Sequence, residues 1–256
     1  MTPSQTGNTF AVTVKVTAER AERGLLMSRE SRRHVSRHRV SWAWWGVAGG
    51  LTGLALILLD QQSRLPDGPF GPEVAELLNR ANYHLTSGIG LVVVLCLTMF
   101  ATGWRRWATE NRRDLAALAV APATAVTATL VLLGTGIKAA LAEYVVGASN
   151  AGHFTTEGVY ALFVLDDSAA YFAWWGVQIA AGLVAWLSFR DRTLPAWFGV
   201  VTVIVLLPTL VVFATIGALN GAGATGPIWL ILASLFLGLR GLPEVERSAE
   251  LDTGTV

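Results

Sequence analysis

The stretch that decides the fold is LAALAVAPATAVTATLVLLGTGI, residues 115–137, which carries no charged side chain over 23 positions. Because about 20 apolar residues in a helix cross the hydrocarbon of a bilayer, this stretch predicts a membrane-spanning helix. Working outward, five further apolar runs predict spans at residues 42–59, 85–104, 168–189, 194–218 and 223–239. We therefore predict an all-α, polytopic transmembrane bundle of about six spanning helices.

The composition is typical of a chain that lies largely within a membrane. Hydrophobic residues make up 53% of the 256 positions and charged residues only 14%, whereas ordinary soluble domains are roughly a quarter charged. A globular surface would lack charge at this composition. Cys96 is the single cysteine, which excludes an intrachain disulfide and a CxxC redox pair.

The orientation follows from the positions of Lys and Arg. Under the six-span assignment, sixteen of the nineteen cationic residues fall on one side of the membrane and three on the other. Those three are Arg64, Arg80 and Lys138. Since cytoplasmic loops carry the excess of Lys and Arg, both termini are predicted to lie in the cytoplasm, with the protein multi-pass in the plasma membrane. Seventeen of the nineteen cationic residues are Arg, which is typical of the coding bias of a GC-rich bacterium, so the predicted membrane is bacterial.

Three segments organise the chain. Residues 1–40 form a basic cytoplasmic tail that we expect to be mobile, residues 41–240 the six-helix transmembrane domain, and residues 241–256 an acidic tail that we expect to be disordered. A basic segment beside a span is typical of a topology and headgroup signal. The lipid bilayer is therefore the predicted partner, and nucleic acid is not.

The positions of tryptophan predict which helix ends lie at the membrane interface, and those of glycine predict which helix face packs closely. Seven of the ten tryptophans fall at predicted cytoplasmic helix ends, where we expect amphipathic rings to anchor in the headgroup layer. In the first span, Gly46 with Gly50 and Gly49 with Gly53 form a flat face that lets another backbone approach. That face predicts close packing within the chain, with a homo-oligomer contact as the alternative.

One pentapeptide recurs. The residues AWWGV occupy positions 43–47 and again 173–177, and AWFGV at 196–200 is a near copy. One interpretation is an inverted repeat of three helices plus three, as in many transporters. The other is that aromatic anchors followed by glycine recur wherever helices pack closely near an interface, and this second interpretation is favoured.

The candidate site residues lie on the predicted outer side. Lys138 extends an otherwise apolar helix and needs a carboxylate partner if it is buried, for which Asp166 and Asp167 are the candidates. The alternative, which we favour, is that Lys138 snorkels to the outer headgroups. Trp174 and Trp175, about two turns inside the predicted fourth span, either pack against other helices or line an outer cavity with these charges.

Motifs that carry chemistry are scarce. His84 and His153 are the candidates for a metal site, but their spacing lacks a ligand pattern such as HExxH. The sequence contains no P-loop, no GxSxG elbow and no dinucleotide fingerprint. We predict no cofactor, and whether the chain is an enzyme stays open, with a non-enzymatic role favoured.

The stretch FRDRTLPAWFG, residues 189–199, carries a resemblance. A basic turn followed by LPxWFG, and then a last helix with Trp near its start and Arg at its end, resembles uncharacterised multi-helix membrane proteins common in actinobacteria. The resemblance covers the last sixty or so residues and implies no catalytic residues. The sequence thus favours a scaffold or sensor, and the alternative is a small-solute transporter with an outward-facing vestibule.

Overall fold

A computed structural model describes residues 37–38, 41–60, 71–111, 114–190, 192, 194–217 and 221–243. The chain divides into two units, Met1–His38 with Pro243–Val256 and Arg39–Leu242. Almost all described residues belong to the second unit. Apart from residues 37–38 and 241–243, the two predicted tails therefore lie outside the described residues.

The regular elements of the described residues are helices, apart from two strands of two residues each, β1 (Arg37–His38) and β2 (Leu242–Pro243). The α-helices are α1 (Ala43–Leu58), α2 (Arg80–Asn111), α3 (Leu115–Tyr144), α4 (Thr156–Phe172), α5 (Trp175–Phe189), α6 (Ala196–Ile216) and α7 (Gly221–Arg240). A short 3-10 helix, Pro72–Leu77, precedes α2. The predicted all-α class is confirmed.

Four of these helices, α2, α3, α6 and α7, are long and apolar enough to span a membrane. The apolar helices α1 and α5 are shorter, at 16 and 15 residues. The predicted span 168–189 is wrong as a single helix, because α4 ends at Phe172 and α5 begins at Trp175. The break falls among apolar residues, where hydropathy alone gives no signal for it.

Local sequence explains several helix ends. Asp114 begins α3, since its carboxylate accepts a hydrogen bond of 2.8 Å from the Ala117 amide. Thr155 caps α4 by accepting from the Gly158 amide at 3.4 Å. Hydrogen bonds from its own backbone and from Thr155 lower the pKa of the Glu157 carboxyl. At the end of α6, Gly217 adopts φ +67°, a left-handed conformation that glycine accepts without strain.

The glycine face of α1 packs against other parts of the same chain. A Cβ built on Gly46 would clash with Ser234, and one on Gly50 would lie 2.7 Å from the Pro227 carbonyl oxygen, both on α7. The same construction on Gly53 meets the Trp174 ring at 2.5 Å. The expected packing within the chain is thus what this face provides.

Two apolar clusters fill the interior. The larger, the main core, joins α1, α2, α3, α5, α6 and α7. The smaller covers the end of the bundle where α2 begins and α3 ends; we call it the cap. Its buried members are Val74, Ala75, Leu78, Tyr83, Leu141, Ala142, Val145, Val159 and Phe163. The cap thus combines the 3-10 helix and the first half of α4 with two helix ends.

The opposite end is closed by aromatic rings. Trp42, Phe100, Trp104 and Trp107 contact one another edge to face or tilted, with centroid separations of 5.3 to 6.4 Å. We call them the aromatic cluster. Trp104 and Trp107 are buried, so the expectation that they anchor in headgroups is wrong: these two rings lie on the core face of α2. Trp44, Trp186 and Trp197 are exposed, as an anchor requires.

Candidate functional site

Three charged side chains meet beneath the cap. The Lys138 ammonium nitrogen lies 3.0 Å from both carboxylate oxygens of Asp60 and 2.9 Å from Asp166 Oδ2. We call Asp60, Lys138 and Asp166 the charged cluster. An ammonium group has three N–H donors, so these three contacts match its full donor capacity.

Each member comes from a different segment. Asp60 follows α1, Lys138 lies six residues before the end of α3, and Asp166 is in the second half of α4. The hydrogen bond of 2.8 Å from the Asn82 amide group to the Leu59 carbonyl holds the chain beside Asp60 against α2. The cluster therefore ties α4, which is not among the spanning candidates, to two helices of the bundle.

The cluster is buried. Asp60, Lys138 and Asp166 expose 8%, 6% and 2% of their surface. The favoured expectation that Lys138 snorkels is wrong, because α4 and the cap cover the end of α3 and supply carboxylates at short range. The other expectation, an ion pair with Asp166, describes the arrangement.

The charges of these three side chains alone do not balance, and Asp60 has a further interaction beyond them. Two carboxylates and one ammonium leave an excess of one negative charge when all three are ionised. Asp166 Oδ1 is buried and has no hydrogen-bond partner among the described residues, and the same holds for the Tyr83 hydroxyl. The Tyr83 ring contributes differently, since its centroid lies 5.9 Å from the Lys138 nitrogen, within cation–π range.

A cavity of about 40 Å³ adjoins the cluster. Its polar wall consists of Asp60, Thr135, Lys138 and Asp166, and Trp174 contributes to its apolar wall. A water molecule needs roughly 10–15 Å³ of such volume. The cavity therefore admits about three or four waters and no larger solute in this conformation.

Glycine makes room for one wall of the cavity. Thr135 packs directly against Gly90 of α2, since a Cβ built on Gly90 would clash with the Thr135 hydroxyl oxygen. That hydroxyl donates to the Val131 carbonyl at 2.7 Å, which satisfies its proton and leaves its lone pairs near the cavity. A larger residue at position 90 would displace this wall.

The predicted site residues are only partly brought together. Lys138, Asp166 and Trp174 share the cavity, whereas Trp175 packs edge to face on Phe213 with centroids 5.6 Å apart. Asp167 is half-buried beside Asp166 and does not line the cavity.

The predicted metal site has no counterpart in the described part of the chain. His84 and His153 are both exposed, and the described residues hold no group of three metal-ligating His, Cys, Asp or Glu side chains. The His153 ring is instead 3.0 Å from the Asn150 carbonyl oxygen.

Two members of the site were not predicted from sequence. Only Asp166 and Asp167 were expected as partners of Lys138, and Tyr83 was given no role. A usable signal did exist: under the six-span assignment the end of the first span and the end of the third lie on the same side. Two opposite charges that terminate such runs are candidates for pairing.

Comparison of the chain with protein-family models, with curated proteins and with solved structures finds no match.

Proposed function

We propose that the chain crosses the bacterial plasma membrane six times, with both termini in the cytoplasm. The four helices of spanning length support this, and so do α1 and α5, which at 1.5 Å per residue reach about 24 and 22 Å. Spans of that length require modest thinning of the bilayer around them. The sixteen-to-three division of Lys and Arg supports the orientation.

The orientation has a direct test. In a Cys96→Ala background, Ser149→Cys lies in the exposed connection between α3 and α4, and Glu110→Cys lies near the exposed end of α2. A membrane-impermeant maleimide added to intact cells should label only Ser149→Cys, and Glu110→Cys should react only after lysis. Labelling of both in intact cells would contradict the assignment.

For function, we propose a non-enzymatic membrane sensor. A scaffold that does not respond to a stimulus is the simpler form of the same proposal. The observation that carries this proposal is the buried charged cluster, which joins α4 to α1 and α3. Such contacts depend on charge, so a change in ionisation or in the outer connection alters how α4 is held. The small cavity supports a closed, non-conducting resting state.

The alternative is a small-solute transporter with an outer vestibule. It is favoured by one observation, the shared cavity of Lys138, Asp166 and Trp174. For this function α4 would have to move away from α3, because about 40 Å³ does not hold a solute.

Cysteine accessibility separates the two functions. Gly134 lines the cavity and has room for a side chain, since its Cβ would lie 3.5 Å from the Ala169 Cβ. In the Cys96→Ala background a sensor with a closed cavity predicts that Gly134→Cys reacts at least tenfold more slowly than Ser149→Cys. Comparable rates would favour the transporter and contradict the closed sensor.

The bilayer and a second copy of the chain are the partners that we propose. Many apolar side chains of α6 are exposed, among them Ile204, Leu207, Leu210 and Phe213. Lipid tails are the natural solvent for such a surface. Because α1 uses its glycines within the chain, a homo-oligomer would have to form through another face.

A further inference from the structure

We propose that a groove between α2 and α3, at the end of the bundle that carries the aromatic cluster, binds one anionic phospholipid. The groove has a volume of about 620 Å³, which is within the range of ligand sites. Its walls include Thr98, Thr102, Arg105 and Thr109 of α2 and Ala125 of α3. Such a site goes beyond the proposed sensor function and rests on the proposal that α2 and α3 cross the membrane. Under the proposed orientation the lipid belongs to the cytoplasmic leaflet.

The groove runs along the two helices, with its cation towards the helix ends. Arg105 is level with the start of α3, because the neighbouring Trp104 indole donates to the Ala117 carbonyl at 2.8 Å. From Arg105 the groove extends along α2 to Thr98, which is about 10 Å along the helix axis. On α3 it reaches Ala125. This elongated shape, charged towards one end only, suits a lipid headgroup and the first part of its acyl chain.

The groove offers a cation but few other donors. The hydroxyls of Thr98, Thr102 and Thr109 each donate to the backbone carbonyl four residues earlier, at 2.8 Å. Their protons are therefore already used within α2. Arg105 is the one charged side chain among the described residues that line the groove, and a guanidinium group binds phosphate well. An occupant with a single anionic group and an apolar remainder matches these walls.

The Arg105 guanidinium is available for a phosphate. Its side chain is exposed, and no carboxylate of the described residues pairs with it. The adjacent Arg106, by contrast, lies 3.0 Å from Glu110. Residues 112–113, which follow α2 and lie outside the described residues, are both arginine, so neither can supply a counter-charge.

The surface around the groove favours a lipid over a soluble anion. Leu95 and Met99 of α2 and Val126 of α3 are exposed apolar side chains close in sequence to the lining residues. Lipid tails are the natural solvent for such side chains. An acyl chain enters the groove from this side without leaving the hydrocarbon, whereas a free phosphate would leave the length of the groove unfilled.

Photocrosslinking tests the site directly. The full chain is reconstituted in phosphatidylcholine vesicles that contain a trace of phosphatidylglycerol with a photoreactive acyl chain. Crosslinks should map to residues 98–109 and 118–125. Unlabelled phosphatidylglycerol should compete for them, and soluble glycerol 3-phosphate should not.

Two variants and a matched control separate a built site from general attraction to the surface. Arg105→Gln should lower crosslinking in the groove about fivefold, as expected for one cation that faces an anionic lipid. Arg106→Gln removes the same charge from the adjacent exposed residue, which pairs with Glu110 and does not line the groove, so its effect should stay below twofold. Ala125→Leu keeps every charge but fills the groove, and it should also lower crosslinking.

Three results would overturn the proposal, in variants whose helices are retained by circular dichroism. An equal loss in Arg105→Gln and Arg106→Gln would indicate general surface attraction. Equal crosslinking of the groove by a photoreactive phosphatidylcholine would indicate ordinary boundary lipid. Competition by glycerol 3-phosphate would identify a site for soluble phosphate. The sensor function fails separately, through fast labelling of Gly134→Cys, and lipid crosslinking does not depend on that result.

Discussion

The two ends of the helix bundle are closed in different ways. At the cap end, the Lys138 ammonium and two carboxylates hold α1, α3 and α4 together through contacts of 2.9 to 3.0 Å. At the other end, the aromatic cluster joins α1 and α2 through ring packing, and the Trp104 indole donates to the Ala117 carbonyl at 2.8 Å. Ring packing is indifferent to ionisation, whereas the charged cluster depends on it. In the part of the chain that the structure describes, the charged cluster is therefore better suited than the aromatic cluster to respond to a change in charge.

The largest effect is expected when the cap end loses its cation. Lys138→Met leaves two buried carboxylates side by side, and removing one partner of a buried ion pair costs about 3–5 kcal/mol. The free energy of unfolding in detergent micelles measures this loss.

A matched control tests the cause. The triple variant Asp60→Asn, Lys138→Met, Asp166→Asn carries no charge at these positions, so it should recover most of the lost stability. If the triple variant is as unstable as Lys138→Met alone, charge imbalance is not the reason for the loss.

The aromatic end should be somewhat less sensitive. Trp104→Ala removes a ring that is 1% exposed and leaves a cavity, at a cost of about 3 kcal/mol. In contrast to the cap end, this cost should not change with pH, since no titratable group is involved. Trp186→Ala serves as the control, because that ring is 56% exposed, and a loss equal to that of Trp104→Ala would argue against the burial assigned to the aromatic cluster.

A smaller effect is expected at the cavity wall. Gly90→Ala forces Thr135 to move, and overpacking of this kind costs about 1–3 kcal/mol. Gly88→Ala, two residues earlier on the same helix, meets no atom within 4 Å. Thermal unfolding should therefore separate the two variants, and equal melting temperatures would show that α2 does not approach α3 as described.

The smallest effect is expected at the start of α4. Thr155→Ala removes the side chain that caps this helix, with a cost of about 1 kcal/mol. Hydrogen exchange should rise in the first turn of α4 and not in α3. The exposed neighbour Thr156 provides a control, and a similar rise in Thr156→Ala would rule out the cap as the cause.

The sequence was sufficient to place most of the apolar helices along the chain. It was insufficient to show which face of each helix is buried. Long charge-free runs such as residues 115–137 can be recognised in the sequence because a helix that crosses the bilayer hydrocarbon must be apolar over about 20 residues. The break between Phe172 and Trp175 was missed because both sides of it are apolar. The prediction for Trp104 failed for a related reason. Its position near the end of α2 is typical of a headgroup anchor, but the packing of the neighbouring helices turns its ring towards Trp42.

The candidate site was predictable in part. Lys138 at the end of an apolar helix signals a need for a partner, and Asp166 was a candidate for it. The pairing with Asp60 requires the end of α1 to meet the end of α3. The six-span assignment places these two ends on the same side, but no local pattern brings them together. The burial of all three side chains depends on α4 folding over them, and that placement comes from tertiary packing with Val159 and Phe163 in the cap.

Hydrogen exchange across α4, residues 156–172, in lipid nanodiscs tests the central claim that the charged cluster holds this helix to the bundle. In Lys138→Met the account predicts exchange at least tenfold faster in α4, with little change in the first turns of α3 near the aromatic cluster. In Trp104→Ala it predicts the reverse pattern. Unchanged exchange of α4 in Lys138→Met, or an equal increase at both ends of the bundle, would contradict the account.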